Sequence, residues 1–206
     1  ALRRLGFDKV FDTDFTADLT IMEEGNEFLQ RLQEGKNLPM MTSCSPGWIN
    51  FIETFYPELL PNLSTCKSPQ QMFGALTKTY YAEKAGINPE DIVSVSIMPC
   101  VAKKFESQRP EMNDSGYRDV DYVLTTQELA LMIKEIGLNF KDLEKDSFDL
   151  PFGFNTGGGV IFGNSGGVTE AVLRYASDKV SDTKSYNYVF SNVRGEGGVR
   201  ETTVTL

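Results

Sequence analysis

The sequence predicts an α/β fold with a largely parallel sheet flanked by helices and incomplete at both ends. Three observations carry this. Short β-rich runs alternate with segments of helical spacing, two cysteine-bearing turns stand at the ends of predicted strands, and a glycine-rich turn opens a late helix. Such alternation favours parallel strands joined by right-handed crossovers, and sheets of that kind place ligands at the carboxyl ends of their strands. No internal repeat or low-complexity linker interrupts the 206 residues, which are read as one domain.

Taken in order, residues 1 to 13 are expected to end an amphipathic helix and pass through a short strand, VFDT. FTADLTIMEEGNEFLQRLQE, residues 15 to 34, repeats Leu19, Met22, Phe28, Leu29 and Leu32 at near-helical spacing, with Asp14 or Thr16 as cap. PMMTSC predicts a short strand. A helix then starts at Pro46 and carries Trp48, Phe51, Ile52 and Phe55 on its apolar side. KSPQQMFGALTKTYYAEKAG predicts a helix from Ser68 and Pro69 to Gly86, and DIVSVSIMPC is the strongest strand signal, ending at Cys100. VDYVLTTQELALMIKEIG reads as strand then helix, with Thr125 and Glu128 in capping-box spacing. After the irregular acidic stretch LEKDSFDLPFGFN, TGGGVIFGNSGGVTEAVLRYA joins a glycine-rich turn to a helix with Ala171, Val172 and Tyr175 inward. SYNYVFSNV and GVRETTVTL are expected to pair as strands across RGEGG.

Composition excludes several classes of function. The net charge of -9 argues against nucleic acid as a partner, because phosphate binding needs clustered cations. No apolar run is long enough for a membrane helix and no signal peptide opens the chain, which makes the cytoplasm the default compartment and leaves the periplasm open. The start reads like the middle of a helix and suggests a fragment. The absence of histidine removes Ser-His-Asp triads, most zinc sites and histidine bases, and three cysteines fit reduced thiols better than a disulfide framework.

What remains is sulfur and carboxylate chemistry. Cys44 in TSCSPGW and Cys100 in MPCVAKKFE sit on turns where free backbone N–H groups can face sulfur, the arrangement that suits thiolates holding iron. Cys44 also precedes a helix N-terminus, whose dipole favours thiolate over thiol; the bland reading is a small buried thiol. Cys66 lies in a linker and is read as structural. Glu24 and Glu27 stand three apart on one side of the first long helix, which from spacing alone describes a solvated acidic face. Lys103 follows the strongest strand and suits either an anion or an exposed helix start. The glycine-rich turn matches neither nucleotide-binding glycine pattern in full, so its claim on phosphate is weak.

TSCSPGW, MPCVAKKFE and FTADLTIMEEGNEF together resemble the catalytic domain of the iron-iron hydrogenases, and the resemblance extends through SPQQMFGALTKTYYA, RDVDYVLTTQELA and GGVIFGNSGGVTEAVLR. It implies an H-cluster, a four-iron, four-sulfur cluster joined through cysteine to a two-iron unit bearing CO, cyanide and a dithiolate amine. It implies reversible oxidation of dihydrogen, with ferredoxin or a nicotinamide-linked subunit as electron partner and maturation factors to install the cofactor. By the same resemblance Cys44 passes protons to the bridging amine and Cys100 ligates the four-iron cluster. Lys103 bonds a cyanide, and Pro69, Gln70, Met98, Pro99, Phe162 and Gly163 line the two-iron pocket. Glu24, Glu27 and Ser64 form the proton route, which raises both glutamates above the solvated-face reading; a carboxyl in an apolar channel has a raised pKa and carries protons near neutrality.

Two departures stand out. Ser45 occupies a position that the family fills with a second cysteine, a cluster ligand, and an alkoxide is far harder to form than a thiolate. Cys44 could instead become that ligand, at the cost of the relay. The N-terminal iron-sulfur domains and the C-terminal cysteine motif of the family are also absent, so residues 1 to 206 are expected to be part of a longer subunit and inactive alone. A non-catalytic iron-sulfur assembly or sensory relative is the alternative.

Overall fold

The computed structural model describes residues 1–180, 191–192 and 197–204. Its centre is a parallel pair, β1 (Val95–Met98) and β2 (Tyr122–Thr125), with Val95 opposite Tyr122 and Met98 opposite Thr125. Helix α5 (Ala102–Gln108) makes the crossover between them and α6 (Thr126–Glu135) follows. The capping box at Thr125 and Glu128 forms as its spacing predicts: each side chain accepts from the other's backbone N–H. Thr125→Ala is expected to cost about 1 kcal/mol in chemical denaturation.

Helix α1 (Asp14–Glu34) runs along one side and packs against α3 (Pro69–Leu76), α7 (Gly157–Ile161) and α8 (Gly167–Val180). Its buried face is not the apolar one that periodicity picks out. Thr16, Ala17, Thr20, Ile21, Glu24, Gly25 and Arg31 are buried, whereas Met22 and Leu32 are exposed. The reason is closeness of approach. A Cβ at Gly25 would lie 2.3 Å from the Tyr175 ring of α8, so no side chain fits at this point of the seam. The threonine hydroxyls there are satisfied within the helix, Thr16 Oγ1 donating to the Thr13 carbonyl at 3.0 Å and Thr20 Oγ1 to that of Thr16 at 2.8 Å.

Other expectations are corrected. VFDT is not a strand: its backbone makes two bonds to the 149–152 loop, and Phe11 instead fills an aromatic cluster with Phe73, Tyr81 and Phe152 at centroid distances of 5.7, 5.2 and 5.4 Å. Residues 1 to 6 hold one 3-10 turn, Leu2–Leu5. PMMTSC shrinks to a single parallel bridge, Met41 with Leu63. Helix α2 (Pro46–Phe55) forms, yet only Ile52 of its apolar side is buried, with Trp48, Phe51 and Phe55 exposed at 37%, 42% and 65%. The helix from Pro69 passes through a π-helical turn, Thr77–Tyr81, and ends as α4 (Ala82–Ala85) at Gly86. Among the described residues the closing segments pair antiparallel at β3 (Ser191–Asn192) and β4 (Arg200–Glu201); the rest of SYNYVFSNV and residues 205–206 lie outside the described residues.

The seam between α3 and the loop before β2 is as tight as that of α1. A Cβ on Gly74 would stand 2.4 Å from the Asp119 carbonyl oxygen, a backbone atom beside the Lys67–Asp119 ion pair. Gly74→Ala is expected to destabilise by about 3 kcal/mol, read as a lowered denaturation midpoint at unchanged slope.

Candidate active site

The Met41–Leu63 bridge lays segment 41–44 beside segment 63–66. Ser64 N donates to the Met41 carbonyl at 2.7 Å and Ser43 Oγ to the Cys66 carbonyl at 2.8 Å. Helix α1 crosses both segments and brings Glu24 and Glu27 to them. Glu27 Oε2 accepts from Ser64 Oγ at 2.8 Å and Oε1 from Arg31 Nη2 at 2.6 Å; Thr65 N donates to both oxygens, and Cys66 Sγ lies 3.7 Å from Oε2. Arg31, 8% exposed, also donates to the carbonyls of Asn37, Pro61, Asn62 and Leu63.

Glu24 is fully buried at 0% exposure and neither of its oxygens has a hydrogen-bond partner. Burial pushes its carboxyl up to about 7. Ser64 and the backbone at Ser43 lie at its edge and temper the rise, while the neighbouring Glu27 adds to it. The solvated acidic face predicted by spacing is therefore wrong for Glu24. Glu24 lies next to Gly25 on the face of α1 that packs into the protein.

Cys44 is half-buried and feels the charges of Glu24, Lys103 and Glu106. The expectation that the helix dipole favours its thiolate is overturned: burial first, then Glu24, push the thiol up, against the opposing pull of Lys103. Cys44 stays protonated near neutral pH. Burial likewise pushes the Cys66 thiol up to about 12.

On the far side, β1 ends at Met98 and is followed by Pro99 and Cys100, both exposed at the carboxyl end of the strand. Lys103 is not an exposed helix start. Its side chain is 12% exposed, and Nζ donates to the Cys44 carbonyl at 2.8 Å and to Glu106 at 3.0 and 3.1 Å. Pro69 opens α3, and Gln70 is buried with its amide spanning Ser96 and Glu106. Ser45 is the exposed N-cap residue of α2. Phe162 caps α7, with Gly163 exposed after it, and α7 packs on α1. The anion-binding reading of the glycine-rich turn is overturned, because Asp18 already accepts from Thr156 N, Thr156 Oγ1 and Gly159 N. A cavity of about 130 Å³, lined by Ser43, Pro46, Cys66, Ser68 and Glu106, lies beside the cluster, and a groove of about 670 Å³ runs along β1 past Gln70 and Met98.

In sequence, Arg31 carries no assigned role and Glu106 stands only among the charges that follow Cys100. Each carries a local signal, an opposite charge one helical turn away: Glu27 at i,i+4 and Lys103 at i,i+3.

This α/β domain gathers a buried acid, a protonated thiol and an ammonium in one cluster, and its sequence places it in a known family. The chain belongs to the hydrogenase family described as iron only hydrogenase large subunit, C-terminal domain, which matches residues 1–206. It is 51% identical over its whole length to the periplasmic [Fe] hydrogenase large subunit of Nitratidesulfovibrio vulgaris, covering 49% of that protein. It is 52% identical to the NADP-reducing hydrogenase subunit HndD of Solidesulfovibrio fructosivorans, covering 36%. A solved single-residue variant of the [FeFe]-hydrogenase HydA1 of Chlamydomonas reinhardtii superposes with a TM-score of 0.85 at 50% identity over 97% of this chain and 50% of that one. The chain thus spans half or less of these relatives. At 36% identity over 86% of the chain it is also similar to the cytosolic Fe-S cluster assembly factor narfl of Xenopus tropicalis.

Proposed function

We propose that this chain forms one wall of an iron-iron hydrogenase active site, and that the subunit carrying it interconverts dihydrogen with protons and electrons. The observation that carries this reading is Glu24: a buried carboxyl without a hydrogen-bond partner, balanced near neutrality and electrostatically coupled to Cys44.

The donor set fits part of an H-cluster. Among the described residues no three His, Cys, Asp or Glu side chains are grouped to hold a metal ion, so the chain supplies one side of the cofactor rather than its whole cage. Cys100 would be its thiolate ligand, with Ser45 offering an oxygen at a second position. Lys103, Pro69, Gln70, Met98 and Pro99 would line the two-iron unit, with Phe162 and Gly163 closing it from α7. When bound, the cofactor supplies the iron at which dihydrogen is split or formed.

The remaining chemistry belongs to side chains of this chain. Glu27 at the outer end meets Ser64, whose hydroxyl can accept a proton as it gives one. Glu24 takes that proton, because burial favours its neutral form, and passes it to Cys44. Cys44 is kept as a thiol and so always has a proton to deliver. The same groups run in reverse for hydrogen oxidation, as a carboxyl with a pKa near the working pH allows.

Ferredoxin or a nicotinamide-linked subunit would exchange the electrons; the relative named as NADP-reducing supports the second. Maturation factors would load the cofactor. No described helix is long and apolar enough to cross a membrane; the cytoplasm is the compartment we favour, although one relative is named periplasmic. Ser45 favours a second reading, a non-catalytic assembly relative, but the Glu24–Ser64–Glu27 arrangement has no use there. The test is hydrogen evolution by the full-length subunit expressed with and without maturation factors. Evolution that depends on maturation is expected, and iron-loaded protein with no turnover would favour the assembly reading.

A further inference from the structure

We propose that Glu106 is the positioning residue of this site, one buried carboxylate, itself braced by Ser68 and Gln70, that holds the Lys103 ammonium in place for the cyanide of the two-iron unit. This rests on the hydrogenase reading.

Glu106 is 4% exposed and lies one turn after Lys103 on α5. Both its oxygens accept from Lys103 Nζ, at 3.0 and 3.1 Å, and Oε2 also accepts from Ser68 Oγ at 2.8 Å and Gln70 Nε2 at 3.1 Å. Gln70 is held at its other end, where Oε1 accepts from Ser96 Oγ at 2.8 Å, and its Nε2 also reaches the Lys103 carbonyl at 3.2 Å. One carboxylate therefore ties together β1, α3, α5 and the Cys44 turn.

A lysine is a compact charge on a flexible four-carbon stem, so its direction must come from its partners. Burying the pair is weak as a source of stability, because desolvating both charges offsets their attraction. What the arrangement does provide is orientation. Groups that orient the residues touching a metal centre typically change affinity or activity by about 10- to 100-fold when removed. A glutamine at 106 would keep the shape but turn an amide NH₂ toward Lys103 or toward the Ser68 and Gln70 donors, leaving one side unmatched.

The test uses the full-length subunit carrying its four-iron cluster, mixed with a synthetic two-iron complex bearing CO and cyanide, and reads the extent of loading and the infrared cyanide bands. Glu106→Gln is expected to shift and broaden those bands and to lower loading about ten-fold, with the four-iron cluster absorbance unchanged. Ser68→Ala is expected to move the bands the same way by less. The double variant Glu106→Gln with Lys103→Met should be no worse than Lys103→Met alone, since Glu106 acts through the lysine. Wild-type bands and loading in Glu106→Gln would overturn the proposal. Should that variant not fold, unchanged bands in Ser68→Ala would do the same. Failure of the wild-type subunit to take up the complex at all would defeat the hydrogenase reading and this proposal with it; normal wild-type loading beside unaltered variants defeats only the role of Glu106.

Discussion

Glu24→Gln in the matured full-length subunit is expected to lower hydrogen evolution by about 100- to 10,000-fold, the range lost when a positioned acid-base group is removed. Glutamine keeps the size of the side chain but cannot take up and release a proton. Cys44→Ala should cost activity in the same range. Stability should move too, and its sign follows from the raised pKa. The folded protein holds Glu24 at about 7 against 4.5 for the free group. Between these values the folded state binds the extra proton, so the contribution of Glu24 to stability is complete below about pH 4.5, declines as pH rises, and is gone above about pH 7. The swing is roughly 3 kcal/mol. In Glu24→Gln that pH dependence should vanish and stability above pH 7 should rise. Denaturation midpoints at pH 5 and pH 8 for the two proteins check this directly, and equal pH slopes would contradict it.

Arg31→Met is expected to destabilise the fold by about 3–5 kcal/mol, the cost of leaving a part-buried charge without its partner. Methionine replaces the volume of the stem but none of the donors. Glu27 would lose its cation, and the carbonyls of Asn37, Pro61, Asn62 and Leu63 would lose a shared donor. The Pro61, Asn62 and Leu63 carbonyls lead directly into Ser64, so the loss should also loosen the outer end of the proposed relay. Urea denaturation measures the effect. A change under 1 kcal/mol would mean that the Met41–Leu63 bridge alone fixes the segment before Ser64.

The legible parts of the sequence are those where one local rule suffices. The capping box at Thr125 and Glu128, the alternation of β1, the proline starts of α2 and α3 and the glycine stop at Gly86 all emerge from short-range chemistry. The turn at Cys100 is legible as a turn, whereas Cys44 lies in a segment without regular structure or turn before α2. What cannot be read is which face of a helix is buried. On α1, apolar periodicity selects Met22 and Leu32, yet tight packing against Tyr175 turns the threonine, glycine and glutamate face inward. On α2 it selects an aromatic stripe that remains exposed. The ionisation of Cys44 is misjudged because a helix dipole is visible in sequence, whereas the burial and the Glu24 carboxyl that outweigh it come from distant parts of the chain. The proposed proton route is suggested by resemblance, not by spacing. Spacing alone describes Glu24 and Glu27 as solvated.

The most direct measurement is an infrared titration of the full-length subunit that follows the stretching band of a protonated carboxyl and compares wild type with Glu24→Gln. The account predicts one carboxyl band that persists to neutrality, is lost with a midpoint near pH 7 and is missing from the variant. A wild-type protein whose carboxyl bands are all lost by about pH 5 would show Glu24 to be an ordinary solvated acid and leave Cys44 without its proton supply.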